Sequence, residues 1–401
     1  MKQRLDNPGA PSDNDSWRSG GFGLYVHWPY CLAKCPYCDF NSHVSSQVDT
    51  QAWTAALCAE VKRAAEATEG RVLNSVYFGG GTPSLMPPEM VGEVLSEAFT
   101  HWAPANDIEV TLEANPTSVE VGKLTAFRDA GVNRVSMGLQ ALNDVDLRRL
   151  GRQHSAQEGK SAFELAQHVF DRVSFDLIYA RQFQTLEAWR IELQEALSMQ
   201  AGHLSLYQLT IEDGTVFGRM HQQGLLRGLP ADDLGADFWD LTQELCEAGG
   251  LPAYEVSNHA RPGQESRHNL VYWNYGDYAG VGPGAHGRLS IGGVRYATAA
   301  PKDPAAWLKQ ALSQHVDDNP VRLRRDEQST EFLLMGLRLR EGISASRYAS
   351  IAGHPLSEAA LSELVELGMI EVDGDQVRTT TSGRPLLNAV LRKLILAMPE
   401  E

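Results

Sequence analysis

The chain has 401 residues, which at about 150 residues per domain predicts two or three domains. Hydrophobic residues make up 43% and charged residues 21% of the sequence, and this balance excludes a wholly disordered protein. The net charge of -16 argues against a broad phosphate-binding surface and leaves room only for a local basic groove. We therefore expect no nucleic-acid partner.

The chain contains no candidate membrane span, because no segment approaches the ~18 uninterrupted apolar residues that a span requires. Residues 1–22 are polar and rich in Gly, Pro and Asp, and they lack the apolar run of a signal peptide. We expect these residues to form a short flexible leader on a cytoplasmic protein.

Residues 23–210 alternate apolar strands with segments of helical period. The predicted strands are Leu24–His27, Ser75–Phe78, Ile108–Leu112, Arg134–Gly138, Val173–Ile178 and Leu204–Leu209. The predicted helices are Thr50–Ala67, Pro88–His101, Val119–Ala130, Ala156–Phe170 and Leu186–Met199. Six such units predict an α/β fold, a partial (β/α)6 barrel, with a doubly wound open sheet as the alternative.

The remaining sequence divides into two parts. Residues 211–320 are rich in Gly, Pro and aromatic residues and predict a loop-rich extension of the barrel. Residues 321–401 predict three helices and then a hairpin turning at Asp373–Asp375, a small winged-helix-like α/β domain. This domain has 10 basic and 12 acidic side chains, so a packing or lid role is favoured over DNA binding.

Three of the five cysteines, Cys31, Cys35 and Cys38, have the spacing C-x3-C-x2-C in "YVHWPYCLAKCPYCDF". Thiolate ligands favour zinc, copper(I) or iron–sulfur, and the alternative is that the three are buried apolar residues. Zinc would take a fourth ligand such as His27 or His43, whereas a cluster held by three cysteines leaves one iron open. An odd total of five cysteines is a poor basis for a set of disulfides, so the count fits a protein of a reducing compartment.

Polar or glycine residues also recur at or near the ends of successive predicted strands. They are the run Gly79–Pro83, then Glu113, Gln140 and Arg152, and Asp176 within the fifth strand. Each alone is more typical of a structural polar residue. Together they predict one site, since a βα barrel carries its active site at the carboxyl ends of its strands.

The cysteine motif, with Tyr37 before the last cysteine, resembles the radical S-adenosylmethionine (SAM) superfamily. The later motifs resemble its anaerobic coproporphyrinogen III oxidase-like branch over nearly the whole chain. The resemblance implies that the three cysteines hold a [4Fe–4S] cluster whose open iron binds SAM, and that an electron cleaves SAM to a 5′-deoxyadenosyl radical. By the same resemblance, the SAM-contacting residues are Tyr25, Gly80, Gly81, Thr82, Glu113, Gln140, Arg152 and Asp176.

Two stretches depart from the usual motifs of this branch. Residues 180–185 read Ala-Arg-Gln-Phe-Gln-Thr where Gly-x-Pro-Gly-Gln-Thr is usual, which puts the shape of that loop in doubt. The run "TIEDGT" replaces the commoner Glu-Pro-Gly-Thr, a milder change.

Within the branch, the chain resembles most closely the HemW-type haem chaperones. Their HNxxYW motif is matched by His268, Asn269, Tyr272 and Trp273, which the resemblance implies contact haem, with His286 as a further polar candidate. The implied function is to bind haem and pass it to acceptor proteins, expected to be respiratory membrane proteins, with SAM, the cluster and an electron donor assisting.

The alternative is an enzyme, an oxygen-independent coproporphyrinogen III dehydrogenase or another radical SAM oxidoreductase of porphyrin metabolism. Those dehydrogenases have a further cysteine where this chain has Phe40, and a longer N-terminal extension. A zinc-stabilised binding protein is a more remote third reading. Cys58 and Cys246 are predicted to be packing residues.

Overall fold

The structure is a computed structural model that describes residues 16–45, 47–313 and 320–398. Its strands, in chain order, are β1 Phe22–Trp28, β2 Tyr30–Cys31, β3 His43–Val44, β4 Val72–Gly80, β5 Ala103–Ala114, β6 Arg134–Gln140, β7 Arg172–Tyr179, β8 His203–Gln208, β9 Asn258–Ala260, β10 Asp277–Val281, β11 His286–Ile291, β12 Val294–Ala299, β13 Val321–Arg322, β14 Ile343–Ser344, β15 Ile370–Asp373 and β16 Gln376–Thr379.

The helices, in chain order, are α1 Ser16–Gly20, α2 Thr50–Glu66, α3 Pro88–His101, α4 Ser118–Val121, α5 Leu124–Asp129, α6 Asp144–Arg149, α7 Ala156–Val169, α8 Leu186–Ser198, α9 Val216–Gln222, α10 Asp232–Ala248, α11 Arg267–Trp273, α12 Pro304–Ala311, α13 Arg325–Gly336, α14 Ala345–Ala352, α15 Glu358–Glu366 and α16 Leu387–Leu396. Short 3₁₀ helices occur at Pro83–Leu85 and Arg384–Leu386.

Six parallel strands, β1 and β4 to β8, lie side by side in chain order. Helices connect them, as parallel pairing requires. The strand order has no reversal within these six, so the doubly wound alternative is wrong and the partial (β/α)6 barrel is confirmed. The strands are apolar because helices cover their outer face; the main core contains Phe22, Phe78 and Phe175, all fully buried.

A second group of strands extends the sheet beyond β1. Strand β10 pairs parallel with β1, and β11, β12 and β13 follow as antiparallel neighbours. At the other edge β9 pairs antiparallel with β8. Residues 211–320 thus hold more regular structure than expected, including the 17-residue helix α10, whose buried Phe238, Leu241 and Cys246 follow a helical period among many acidic residues.

The C-terminal unit has its own apolar core, built from α13 to α16 around the small sheet β14-β16-β15. The hairpin between β15 and β16 turns at Gly374, whose φ is 58°. Helices followed by a hairpin agree with the winged-helix-like arrangement predicted from sequence. This unit contacts the extended sheet through an ion pair of 2.8 Å between Arg288 on β11 and Glu331 on α13.

Of the predicted flexible leader, residues 1–15 lie outside the described residues. The next segment is helix α1, and its Trp17 packs against the main core. In the part of the chain that the structure describes, no helix is both long and apolar enough to cross a membrane.

Candidate functional site

The cysteine motif begins at Cys31, the last residue of β2, and continues with Cys35 and Cys38 on the loop between β2 and β3. These strands pair in parallel, with Tyr30 opposite His43 and Cys31 opposite Val44, so the two ends of the loop are held together. Strand β2 follows almost directly after β1, whose carboxyl end lies beside that of β4. All three motif cysteines are partly buried and free of disulfides. The pairing places them at the end of the barrel where the site was predicted.

Each cysteine sulfur has a polar partner. Thr82 Oγ1 lies 3.4 Å from the sulfur of Cys31, Arg152 Nη1 lies 3.5 Å from that of Cys35, and Ser42 Oγ lies 3.9 Å from that of Cys38. A guanidinium and hydroxyl donors stabilise thiolates, which are the form that binds metal. Burial raises the pKa of the Cys31 and Cys38 thiols, and these donors oppose that rise, so the donor set fits thiolates that a bound group would stabilise further.

A single metal ion fits this loop less well than a cluster. Among residues 16–45, 47–313 and 320–398, no three His, Cys, Asp or Glu side chains converge closely enough to hold one ion. A zinc ion with Zn–S bonds of about 2.3 Å would draw its sulfurs within about 4 Å of one another. A [4Fe–4S] cluster binds each cysteine at a different iron, so its ligands need not converge on one point.

Two carboxylates lie inside the barrel, on its strands. Glu113 on β5 accepts hydrogen bonds from the Tyr77 hydroxyl (2.8 Å) and from the backbone N–H of Gly80 (3.2 Å). Burial raises the pKa of Glu113 to about 7, and the neighbouring Asp176 adds to the rise. Burial likewise raises the pKa of Asp176 to about 6, although Ser136 donates to it at 3.3 Å. A cation bound nearby would lower both pKa values again and favour the ionised carboxylates, so both side chains suit a cationic ligand.

Position 80 accepts only glycine. Its φ is 115°, a conformation that side chains disfavour, and a Cβ there would lie 2.6 Å from the imidazole of His27. The adjacent Gly81 is equally confined, since its Cβ would lie 2.8 Å from the carbonyl oxygen of Tyr30. The glycine run thus brings backbone N–H groups close to the cysteine loop and to Glu113.

Arg152 joins the cysteine loop to the strand ends. Its Nη2 donates to the carbonyl of Gly138 (2.7 Å) and to the side chain of Asn115, while its buried Nε has no hydrogen-bond partner among the residues that the structure describes. Asn115 in turn donates to Thr82 Oγ1 at 3.1 Å. Sequence reasoning did not select Asn115, although it lies two residues after Glu113 in the same "LEANP" motif.

Backbone strain marks the ends of β6 and β7. Gln140, a predicted SAM residue, has a φ of 69° where the register of β6 shifts against β7. Ala180 and Phe183 have φ of 56° and 61°, at the two positions where the branch has glycine. Residues 180–185, which depart from the usual motif, therefore keep the backbone conformation of glycine without having glycine. Such strain costs about 1–3 kcal/mol per residue and concentrates at functional sites.

Helix α11 carries the HNxxYW motif and is held at its N-terminus. Ser266 accepts from the N–H of Asn269, and Glu109 accepts from the N–H groups of Arg267 and His268 at 3.2 Å. Glu109 is buried and also pairs with Arg172 at 2.7 Å. A carboxylate at a helix N-terminus stabilises the helix through both hydrogen bonding and the dipole.

His268 lies behind the cavity wall and not in it. The ring is 1% exposed, its Nδ1 lies 2.8 Å from Ser75 Oγ, and its Nε2 lies 2.7 Å from the hydroxyl of Tyr272. It also stacks on Tyr77, with ring centroids 5.0 Å apart. Both nitrogens are therefore engaged. Asn269 is also turned away, with its amide 3.4 Å from the Tyr254 hydroxyl.

One cavity of about 400 Å³ is lined by part of each predicted group of residues. Three of the predicted SAM residues, Tyr25, Gly80 and Glu113, line it beside Tyr272 and Trp273 of the HNxxYW motif. The wall is completed by His27, Phe40, Asn41, Tyr275, Tyr278, Gly284, His286, Arg288, Arg295, Glu331 and Met335. Its volume is within the usual range of small-molecule sites, about 300–1,000 Å³.

Comparisons with known proteins identify the family to which the chain belongs. The radical SAM superfamily model matches residues 25–191, and the HemN C-terminal domain model matches residues 323–386. The bovine (Bos taurus) radical S-adenosyl methionine domain-containing protein 1, mitochondrial, is 39% identical over 417 residues, covering 100% of this chain and 93% of the relative. The heme chaperone HemW of Escherichia coli is 34% identical over 379 residues, covering 93% of this chain and 98% of the relative.

Among solved structures, coproporphyrinogen III oxidase (HemN) from Escherichia coli matches with a TM-score of 0.78 at 22% identity, covering 94% of this chain and 90% of that one. This match concerns the fold, which is shared over both the barrel and the C-terminal unit. The chain belongs to the radical SAM superfamily, in the branch of the HemW heme chaperones and coproporphyrinogen III oxidase.

Proposed function

We propose that this protein is a haem chaperone that binds haem in the cavity described above and transfers it to acceptor proteins. The observation that carries the proposal is the shared cavity, in which the HNxxYW aromatic residues Tyr272 and Trp273 face the same space as Tyr25 and Glu113. Similarity to HemW heme chaperones over 92% and 93% of the chain supports the choice of cargo.

Membership of the superfamily implies a [4Fe–4S] cluster and SAM. We infer that Cys31, Cys35 and Cys38 hold the cluster, which when bound supplies an electron to SAM. The guanidinium of Arg152, whose Nε has no hydrogen-bond partner in the described part of the chain, suits the SAM carboxylate. The carboxylates of Glu113 and Asp176 suit its ammonium group or ribose hydroxyls.

The roles of the remaining predicted SAM residues stay predictions, and the positions of these residues are compatible with contacts to SAM. Tyr25 lies on β1 opposite Tyr77, and Gly80 and Gly81 lie at the carboxyl end of β4. Thr82 donates to the sulfur of Cys31, and Gln140 is held in a strained conformation. In this proposal they shape the floor on which SAM lies. Its neighbour would be haem in the other half of the same cavity.

Phe40 favours the chaperone over the dehydrogenase. Its ring lines the cavity and is 60% exposed, at the position where the dehydrogenases have a further cysteine. An exposed aromatic ring at a cavity mouth can cover a flat apolar macrocycle, as the aromatic residues of small-molecule sites do. The expected acceptors, respiratory membrane proteins, and the electron donor belong to the same proposal.

Haem titration tests the cargo. Anaerobically reconstituted protein is titrated with haemin and followed at the Soret band, alongside Trp273→Ala and the matched control Phe99→Ala, whose ring lies on the outer helix α3. We expect stoichiometric binding that weakens in the first variant and is unchanged in the control. If the wild-type protein binds no haem, the proposal is refuted.

Two further assays separate the alternatives. Iron, sulfide and zinc analysis of reconstituted wild type and Cys31→Ser tests the metal: we expect iron and sulfide in the wild type and their loss in the variant. Stoichiometric zinc without sulfide would contradict the cluster. Incubation with coproporphyrinogen III, SAM and a reductant tests the enzyme, and formation of protoporphyrinogen would replace the chaperone proposal.

A further inference from the structure

Two histidines line the cavity, and they differ in what their rings already bind. The Nδ1 of His27 lies 2.9 Å from the Tyr25 hydroxyl, and its Nε2 lies 2.9 Å from the carbonyl oxygen of Asn41. His286, the first residue of β11, is exposed, and its imidazole makes no hydrogen bond to any residue that the structure describes. Of the two, only His286 has both ring nitrogens available to a ligand.

The position of His286 on the sheet directs it to the barrel interior. Side chains alternate along a strand, so His286 and Arg288 share one face of β11. Arg288 is opposite Tyr278 in the register, and Tyr278 is on the same face of β10 as Gly280, which is opposite Tyr25. The face that carries the predicted SAM residue Tyr25 thus continues without interruption to His286.

Small residues leave space beside this imidazole. His286 is opposite Ala299 on β12, and Arg288 is opposite Ala297. On the other side, Gly280 approaches β11 so closely that a Cβ would lie 2.1 Å from the carbonyl oxygen of His286. The three neighbours present no large side chain on this face, so a flat ligand has room next to the ring.

We propose that His286, and not His268, is the axial ligand of the haem iron. The inference rests on the proposed haem-binding function and adds the iron-ligating residue to it. An exposed imidazole with two free nitrogens can coordinate iron without losing any contact. His268, in contrast, would have to leave both Ser75 and Tyr272 and move through the cavity wall.

The surroundings of His286 suit the rest of a haem. Arg288 lies two residues along the same face and offers a guanidinium to a propionate carboxylate, in exchange for its present partner Glu331. Burial, helped by the nearby charges of Arg288 and Lys302, lowers the pKa of His286, which favours the neutral imidazole that ligates metals. His268 retains a positioning role, because its ring holds Tyr272 at the cavity wall.

The test is haemin binding to cluster-loaded protein, measured anaerobically by difference absorption and electron paramagnetic resonance. The variants are His286→Ala, His268→Gln and the control His168→Ala, an exposed histidine on α7. We expect His286→Ala to lose the nitrogen-ligand spectrum and at least about tenfold in affinity, the lower range for groups that support a metal ligand. Added imidazole should restore the spectrum in that variant.

The outcomes separate this inference from the proposed function. If the wild type binds no haemin, both fail. If the wild type binds with a nitrogen-ligand spectrum that His286→Ala retains, the ligand assignment is overturned and the chaperone proposal survives. His268→Gln should keep the spectrum even where its affinity falls, and loss of the nitrogen signature there alone would assign the iron to His268. Circular dichroism of each variant confirms that it is folded.

Discussion

Replacing Glu113 by Gln should change how the stability of the metal-free protein depends on pH. The carboxyl group is partly buried and lies close to Asp176, and burial raises its pKa from 4.5 to about 7. The folded state therefore holds the proton more tightly than the unfolded state does. Stability that Glu113 contributes below pH 4.5 is lost as the pH rises through about 7.

The size of this loss follows from the shift. A pKa moved from 4.5 to about 7 corresponds to about 3 kcal/mol between the fully protonated and fully ionised limits. Part of the loss has already occurred at pH 5, and water screens the rest because Glu113 borders the cavity, so we expect about 1–2 kcal/mol between pH 5 and pH 8. Glu113→Gln cannot ionise, so it should lack this component of the pH dependence.

The assay is urea unfolding of metal-free wild type and Glu113→Gln at pH 5 and pH 8, followed by tryptophan fluorescence. The control Glu187→Gln makes the same chemical change at a side chain that is 73% exposed, and should follow the wild type. The variant should differ from the wild type at every pH, since an amide NH2 replaces one of the two oxygens that accept from Tyr77 and from Gly80. Only the change in the free energy of unfolding between pH 5 and pH 8 is diagnostic. An equal change in the wild type and in Glu113→Gln would refute the argument.

Three further predictions concern the frame of the site. Glu109→Gln removes a buried charge beside Arg172, so urea unfolding should show a loss of about 3–5 kcal/mol, while an equal stability would contradict the role given to this network. Gly80→Ala forces a Cβ against His27, so SAM binding by isothermal titration should be lost at unchanged cysteine content; unaltered affinity would show that the backbone can adjust. Phe183→Gly relieves a φ of 61° and should leave the melting temperature unchanged or raised, whereas Phe183→Val should lower stability by about 1–2 kcal/mol.

The barrel could be predicted because its signals are local. Each of the six core strands is an apolar run, and a helix start such as Asp49, whose side chain accepts from the N–H of Ala52, is encoded within four residues. Helix α10 was missed, since the acidic residues and glycine on its exposed side obscured the period of its buried ones. The pairing of β10 with β1 joins residues about 250 positions apart, and no local pattern encodes such a contact.

The candidate site divides in the same way. The sequence by itself determined the chemical types, three cysteines in a metal-binding spacing and polar residues after successive strands, because spacing and residue chemistry are properties of the chain. Which imidazole is available to a ligand was decided only by the tertiary structure. His268, within the motif, has both ring nitrogens engaged, whereas His286, outside it, makes no hydrogen bond through its ring to any described residue. Hydrogen-bond partners come from distant strands and helices, so the availability of a side chain is a property of the fold.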